Sequence, residues 1–241
     1  MSEIEHIERL EISRRELVCQ GTQRQHLQDL KQMILEHAQL KCLLLQLNKI
    51  DAESYLCAGI IRNWIWSSLH GQHYSFDSTE IDVIFYDEHE NNRLKTKLLT
   101  SQLSKQFPKI QWDVTNQAKV HEWYKTENGQ SIDPLKSIED ALSYWPETAT
   151  AIAVRMDEQD DIDVIAPFGL TDLFELKLRW NDRLVSRGVF DQRIASKEFF
   201  KRSTASAPTW FFHNPILPPN PASRLHIFSK RYFLKHTHNL F

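Results

Sequence analysis

Two carboxylates one residue apart on an apolar background, Glu80-Ile81-Asp82-Val83, and a third in Ile110-Gln111-Trp112-Asp113-Val114 are the side chains of this chain best placed to do chemistry. Strand side chains alternate between faces, so Glu80 and Asp82 share one side while Ile81, Val83 and Phe85 take the other. Asp113 likewise projects opposite Ile110, Trp112 and Val114. If the two strands are neighbours, three carboxylates converge above one sheet. Such a cluster repels itself unless a cation sits within it. Oxygen-only ligands suit magnesium or manganese, ions that activate an attacking hydroxyl and neutralise phosphate charge. An acid alternating with apolar residues is also what a solvent-facing strand looks like. The upstream segment Ala58-Gly59-Ile60-Ile61-Arg62-Asn63 shifts the balance. Gly59 opens a helix, and a helix N-terminus offers free N–H groups and a positive dipole end to a phosphate. Arg62, one turn in, is placed to reach a phosphate oxygen or to form a surface ion pair.

The elements that must position these groups are readable from periodicity. Leu30, Met33, Ile34, Leu40, Leu43, Leu44 and Leu47 recur at helical spacing, and Ile60–Leu69 continues as a second helix with Ile61, Trp64, Ile65 and Leu69 buried. Glu80–Tyr86 and Lys109–Val114 read as strands flanking a lysine-rich helix over 91–107. Ser137 caps a short helix to Tyr144. Thr148–Met156 and Asp161–Ala166 form two further strands, and Thr171 caps a helix to Leu178. Residues 1–28 read as a polar helical extension. From Ser203 onward prolines at 208, 215, 218, 219 and 221 break any period, and a basic, aromatic stretch follows to Phe241.

Composition narrows the classes. At 241 residues the chain is long enough for one sizeable core. A net charge of −3 advertises no global field for nucleic acid, although a local basic groove remains compatible with it. There is no run approaching the ~20 apolar residues of a membrane helix, and the charged start MSEIEHIERLEISRREL is not a secretory signal. Cys19, Cys42 and Cys57 match no zinc spacing and fit free thiols in a reducing cytoplasm. A rival acidic pair, Asp161-Ile162-Asp163-Val164, lacks a glycine-opened helix before it and reads as a solvent-facing strand. His236-Thr237-His238 is too close and too terminal for a metal site.

The segments AGIIRNWIWSSLHG, EIDVIFYD, WDVTNQAKVHEW, YWPETATAIAVR and IAPFGLTDLF, in that order, resemble a family of bacterial nucleotidyltransferase-like proteins of undefined substrate. More widely, the glycine-opened helix and acidic strand resemble the head domain of CCA-adding enzymes in the DNA polymerase beta superfamily. The resemblance runs from about residue 30 to 202. It implies an α+β fold, a nucleotidyltransferase-like mixed β-sheet flanked by helices, over 29–202, leaving 203–241 as a divergent tail. It also implies a metal-binding catalytic triad of Glu80, Asp82 and Asp113, with Gly59, Arg62 and Asn63 near an NTP. The expected reaction moves a nucleoside monophosphate from NTP to a hydroxyl of RNA, a protein or a small molecule, with Mg2+ or Mn2+. Asn116, Gln117, His121, Trp145–Thr148 and Pro167–Leu170 match family blocks and read as packing. Arg155 either lines the nucleotide cleft or pairs with an acid. Glu80 stands where the superfamily usually has aspartate, and Ile60 where it has a small residue that leaves room for phosphate. These departures frame an alternative: a catalytically decayed fold serving as a nucleotide- or protein-binding module.

Overall fold

The computed structural model describes the backbone of residues 3–196 except Ser78, and the side chains of residues 19–195 with the same exception. The proposed tail over 203–241, with its histidine pair, lies outside the described residues. A long helix, α1 (Glu3–Glu36), leads into α2 (Ala38–Ile50). The expected single helix over 30–47 is broken at His37, whose backbone is extended and whose Nδ1 accepts a hydrogen bond from the Leu40 N–H. No helix boundary falls at residue 28. Gln23, within the supposed extension, is already docked on the domain through Thr171 and Leu170.

The sheet follows: β1 (Tyr55–Cys57), α3 (Gly59–Leu69), β2 (Glu80–Phe85), α4 (Leu94–Gln106), β3 (Gln111–Asn116), α5 (Ile138–Leu142), β4 (Ala153–Met156), β5 (Ile162–Ile165), α6 (Thr171–Phe174) and α7 (Arg187–Ser196). Short 3-10 helices occupy Gln117–Glu122 and Thr148–Thr150. The strand order is β3-β2-β1-β4-β5. Only β2 and β3 are parallel; the remaining pairs are antiparallel. The sheet is therefore mixed and flanked by helices, as the resemblance implies.

One face carries Leu56, Ile81, Val83, Phe85, Val114, Val154, Met156 and Ile162. It packs on Leu30, Ile34, Leu40, Leu43, Leu44 and Leu47 from the first two helices, Ile60, Ile61, Trp64 and Ile65 from α3, and Leu99 and Leu103 from α4. Burying such side chains is worth roughly 1.5–3 kcal/mol each, so this layer fixes which way every strand faces. The other face bears a smaller cluster of Tyr55, Cys57, Ile84 and Ala153 under Ile138, Leu142 and Trp145. That cluster covers only part of the face: among the described residues Glu80 stays exposed and Asp82 half-buried.

Several helix ends differ from expectation. Ser137 caps α5 by accepting from the Asp140 N–H, as expected. Thr171 does not cap; Leu170 occupies the cap position, and the Thr171 hydroxyl instead accepts from Gln23 Nε2 at 2.7 Å. The helix there stops at Phe174, and Leu176 turns left-handed at φ 58°.

Candidate functional site

The parallel register pairs Asp82 with Asp113 directly across β2 and β3, and Glu80 with Gln111. Because the apolar face must look into the helical layer, these three carboxylates are forced to the opposite side. Their nearest oxygens all lie within 4.8 Å of one another. Glu80 is exposed, while Asp82 and Asp113 are half-buried. Hard oxygen donors at this spacing fit a magnesium- or manganese-sized ion, and without one the three charges oppose each other. Thr115, two residues along β3 on the same face, donates from Oγ1 to Asp113 Oδ1 at 3.3 Å and so orients it.

The antiparallel register Cys57↔Asp82 brings the turn after β1 to the end of β2 that bears the acids. Cys57 lies buried on the neighbouring strand directly across from Asp82, and its Sγ contacts the Asp82 carbonyl at 3.6 Å. Burial, with added repulsion from Asp82 and Asp113, pushes its thiol pKa well up. This is a neutral packing group, as the sequence suggested, and no nucleophile.

The turn itself holds a feature that sequence reading missed. Ala58, and not Gly59, takes the positive φ of 62°, with ψ −128°. Its N–H bonds to the Ile152 carbonyl at 3.1 Å, which pins the strained turn to the strand region beside it. A Cβ on Gly59 would meet only Asn63 Nδ2 at 3.9 Å, so protein packing does not require glycine there. Ile60 is 1% exposed and belongs to the sheet core, so its branched side chain does not crowd the turn.

Arg62 is where the structure departs most from expectation. It is 2% exposed, which rules out the surface ion pair. Its Nη1 bonds to Glu147, which is fully buried, while Nε and Nη2 donate to Asn63 Oδ1 at 3.1 and 2.9 Å. Arg193 of α7 reaches the other Glu147 oxygen at 2.6 Å. Two guanidiniums thus share one carboxylate in the interior behind α3. Burial pulls the Arg62 pKa down and Glu147 pulls it back. The signal for this cluster was visible as Glu147, an isolated charge in the apolar run Tyr144–Val154, although its partners were not.

The remaining family blocks are structural. Asn116 donates to the Asp87 carbonyl and to Glu90, both at 2.8 Å, and accepts from the Asp87 and Ala118 N–H groups, tying the ends of β2 and β3 together. Gln117 is buried, and His121 is partly so. Thr148 donates to Asp172 at 2.6 Å. Arg155 pairs with Asp163 at 3.0 Å, well placed to hold β4 to β5. The rival acids are accounted for by that pair and by Lys31–Asp161.

A polar cleft of about 360 Å³ opens at the C-terminal ends of β2 and β3, between the loop entering α4 and the 3-10 helix after β3. Thr115 forms part of its wall.

A solved solution structure described as a CCA-adding enzyme head domain is similar to this chain, at 26% identity and TM-score 0.58, covering 73% of this chain and 89% of that one. A tRNA-processing enzyme in an apo form matches more distantly, at 17% identity and TM-score 0.36 over 63% of this chain and 40% of that one. No curated protein matches. A nucleotidyltransferase family model matches residues 47–204, from the end of α2 past α7 and so across the whole sheet; the chain belongs to the nucleotidyltransferase family.

Proposed function

We propose that the protein transfers a nucleoside monophosphate from an NTP to a hydroxyl acceptor in a metal-dependent reaction at Glu80, Asp82 and Asp113. The observation that carries this reading is the convergence of three carboxylates within 4.8 Å at the end of the sheet reached by the Gly59 turn. Magnesium or manganese held by these carboxylates supplies charge neutralisation for the triphosphate. Gly59 gives the phosphates room against the first N–H groups of α3. Asn63 presents its amide near the same turn. Arg62 acts from behind by holding Asn63 Oδ1, since its charge is engaged by Glu147. Asp113, oriented by Thr115, takes the acceptor hydroxyl's proton. The hydroxyl oxygen then forms a bond to the α-phosphorus, and pyrophosphate leaves with the electron pair of the broken P–O bond.

The test is pyrophosphate release with each NTP, magnesium and candidate acceptors. Asp82→Ala should lower the rate on the order of 100-fold or more, while Asp161→Ala, in the rival acidic pair, should leave it within about twofold. Equal rates in all three proteins would end the proposal.

A second reading, a decayed fold that binds nucleotide or protein without catalysis, draws support from the glutamate at 80 and from the commitment of Arg62 to Glu147. Glu80→Asp separates the two. A raised rate marks a weakened enzyme; nucleotide binding without turnover in both proteins marks a binding module. No helix among the described residues is long and apolar enough to cross a membrane, and the free thiols of Cys19, Cys42 and Cys57 suit our placement of the protein in the cytoplasm.

A further inference from the structure

We infer that the cleft at Thr115, one same-face step along β3 from Asp113, is the acceptor site, and that the acceptor is a small phosphorylated compound with a free hydroxyl, the size of a sugar phosphate or single nucleotide. This rests on the transfer reading above and names its second substrate. The cleft is walled by Arg93, Asn92, Thr115, Lys119, Glu122 and Trp123, among others. Thr115 is the link to chemistry: it hydrogen-bonds Asp113 and sits one same-face step, about 7 Å, along the strand from it. A ligand seated against Thr115 can therefore reach Asp113 with a hydroxyl while its far end stays in the cleft.

Three observations set the ligand's class. The volume, about 360 Å³, lies at the small end of ligand sites and holds one nucleotide-sized unit. In the cleft wall, the exposed Arg93 guanidinium makes no hydrogen bond or ion pair among the described residues; only its backbone carbonyl is bonded, to the Lys97 N–H. The turn presenting it is left-handed at two successive residues, Asn92 at φ 51° and Arg93 at φ 58°. Such backbone costs on the order of 1 kcal/mol or more per residue and collects at ligand sites. An unpaired guanidinium there suits a phosphate monoester, and Trp123 offers a ring for a sugar or base to pack against. Third, the rim is not a track for a polymer. Lys119 is paired with Glu122, and Glu90 lines the same cleft, so among the described residues of this rim positive charge is interrupted by negative, unlike the continuous basic track a nucleic-acid backbone requires.

The experiment uses the full chain saturated with manganese and a non-hydrolysable NTP analogue, so that the nucleotide site is filled. Ribose 5-phosphate, adenosine 5′-monophosphate and a twelve-nucleotide single-stranded RNA are then titrated by calorimetry. The two small phosphates should bind, and Arg93→Glu should weaken them roughly tenfold or more with the affinity for the manganese–analogue complex retained. Trp123→Leu should weaken the nucleotide more than the sugar phosphate. Binding of the RNA alone, or small-phosphate binding indifferent to Arg93→Glu, overturns the inference. If the manganese–analogue complex itself does not bind, the transfer reading has failed. Phosphate binding at Arg93 would then show a ligand site and refute its role as acceptor site.

Discussion

At the residue scale, the site draws on two costly arrangements that the surrounding fold must hold in place. The first is Ala58 at φ 62°, a conformation that glycine adopts freely and a Cβ opposes. Ala58→Gly should raise stability by about 1 kcal/mol in urea denaturation; a loss of stability would mean that the turn is not strained. The second is Glu147, fully buried between Arg62 and Arg193. Glu147→Gln keeps the shape but removes the buried carboxylate charge that Arg62 and Arg193 share. It should cost about 3–5 kcal/mol, measured by the same method, and loosen α3 behind the Gly59 turn. The acids at 80, 82 and 113 were legible because period-two alternation names a strand's face without coordinates. The role of Arg62 was not, because its counter-charge Glu147 lies 85 positions away and no local pattern encodes that pairing.

The same contrast holds for elements. β2, β3, α3 and α4 announce themselves through periodicity and β-branched content, and β2 and β3 carry the triad. β1 does not. Tyr55, Leu56 and Cys57 are buried on both faces, so a central strand of three residues shows neither alternation nor length. The break at His37 is hidden too, since no glycine or proline marks it and a histidine nitrogen serves as the cap. The α1 helix runs past residue 28 and docks through Gln23, where the glycine of Pro167–Leu170 finds its reason. Gly169 sits at φ +70°, and a Cβ there would lie 2.7 Å from the Gln23 amide. Gly169→Ala should therefore destabilise by about 1–3 kcal/mol. Pairing it with Gln23→Ala should recover the steric part and leave the backbone part. Strict additivity of the two changes, followed by thermal melting, would mean that the glycine does not serve this contact.

Across the whole molecule, the family match spans the sheet from β1 to β5, and the two faces of that sheet are covered unequally. The larger apolar layer dictates the orientation of every strand. The Gly59 turn meets the triad at the N-terminal end of β2 and β3, and the cleft lies further along β3, past Thr115. Three like charges held together in the triad should make the metal-free protein less stable than its packing allows. That consequence gives the most direct test of a shared metal site. Thermal melting of the wild-type chain and Asp82→Asn, each with and without millimolar manganese, compares both sides of the claim. The account predicts that manganese raises the melting temperature of the wild type only, and that Asp82→Asn without metal melts above the wild type without metal. A wild-type chain indifferent to manganese, or a variant that keeps the full shift, would contradict it.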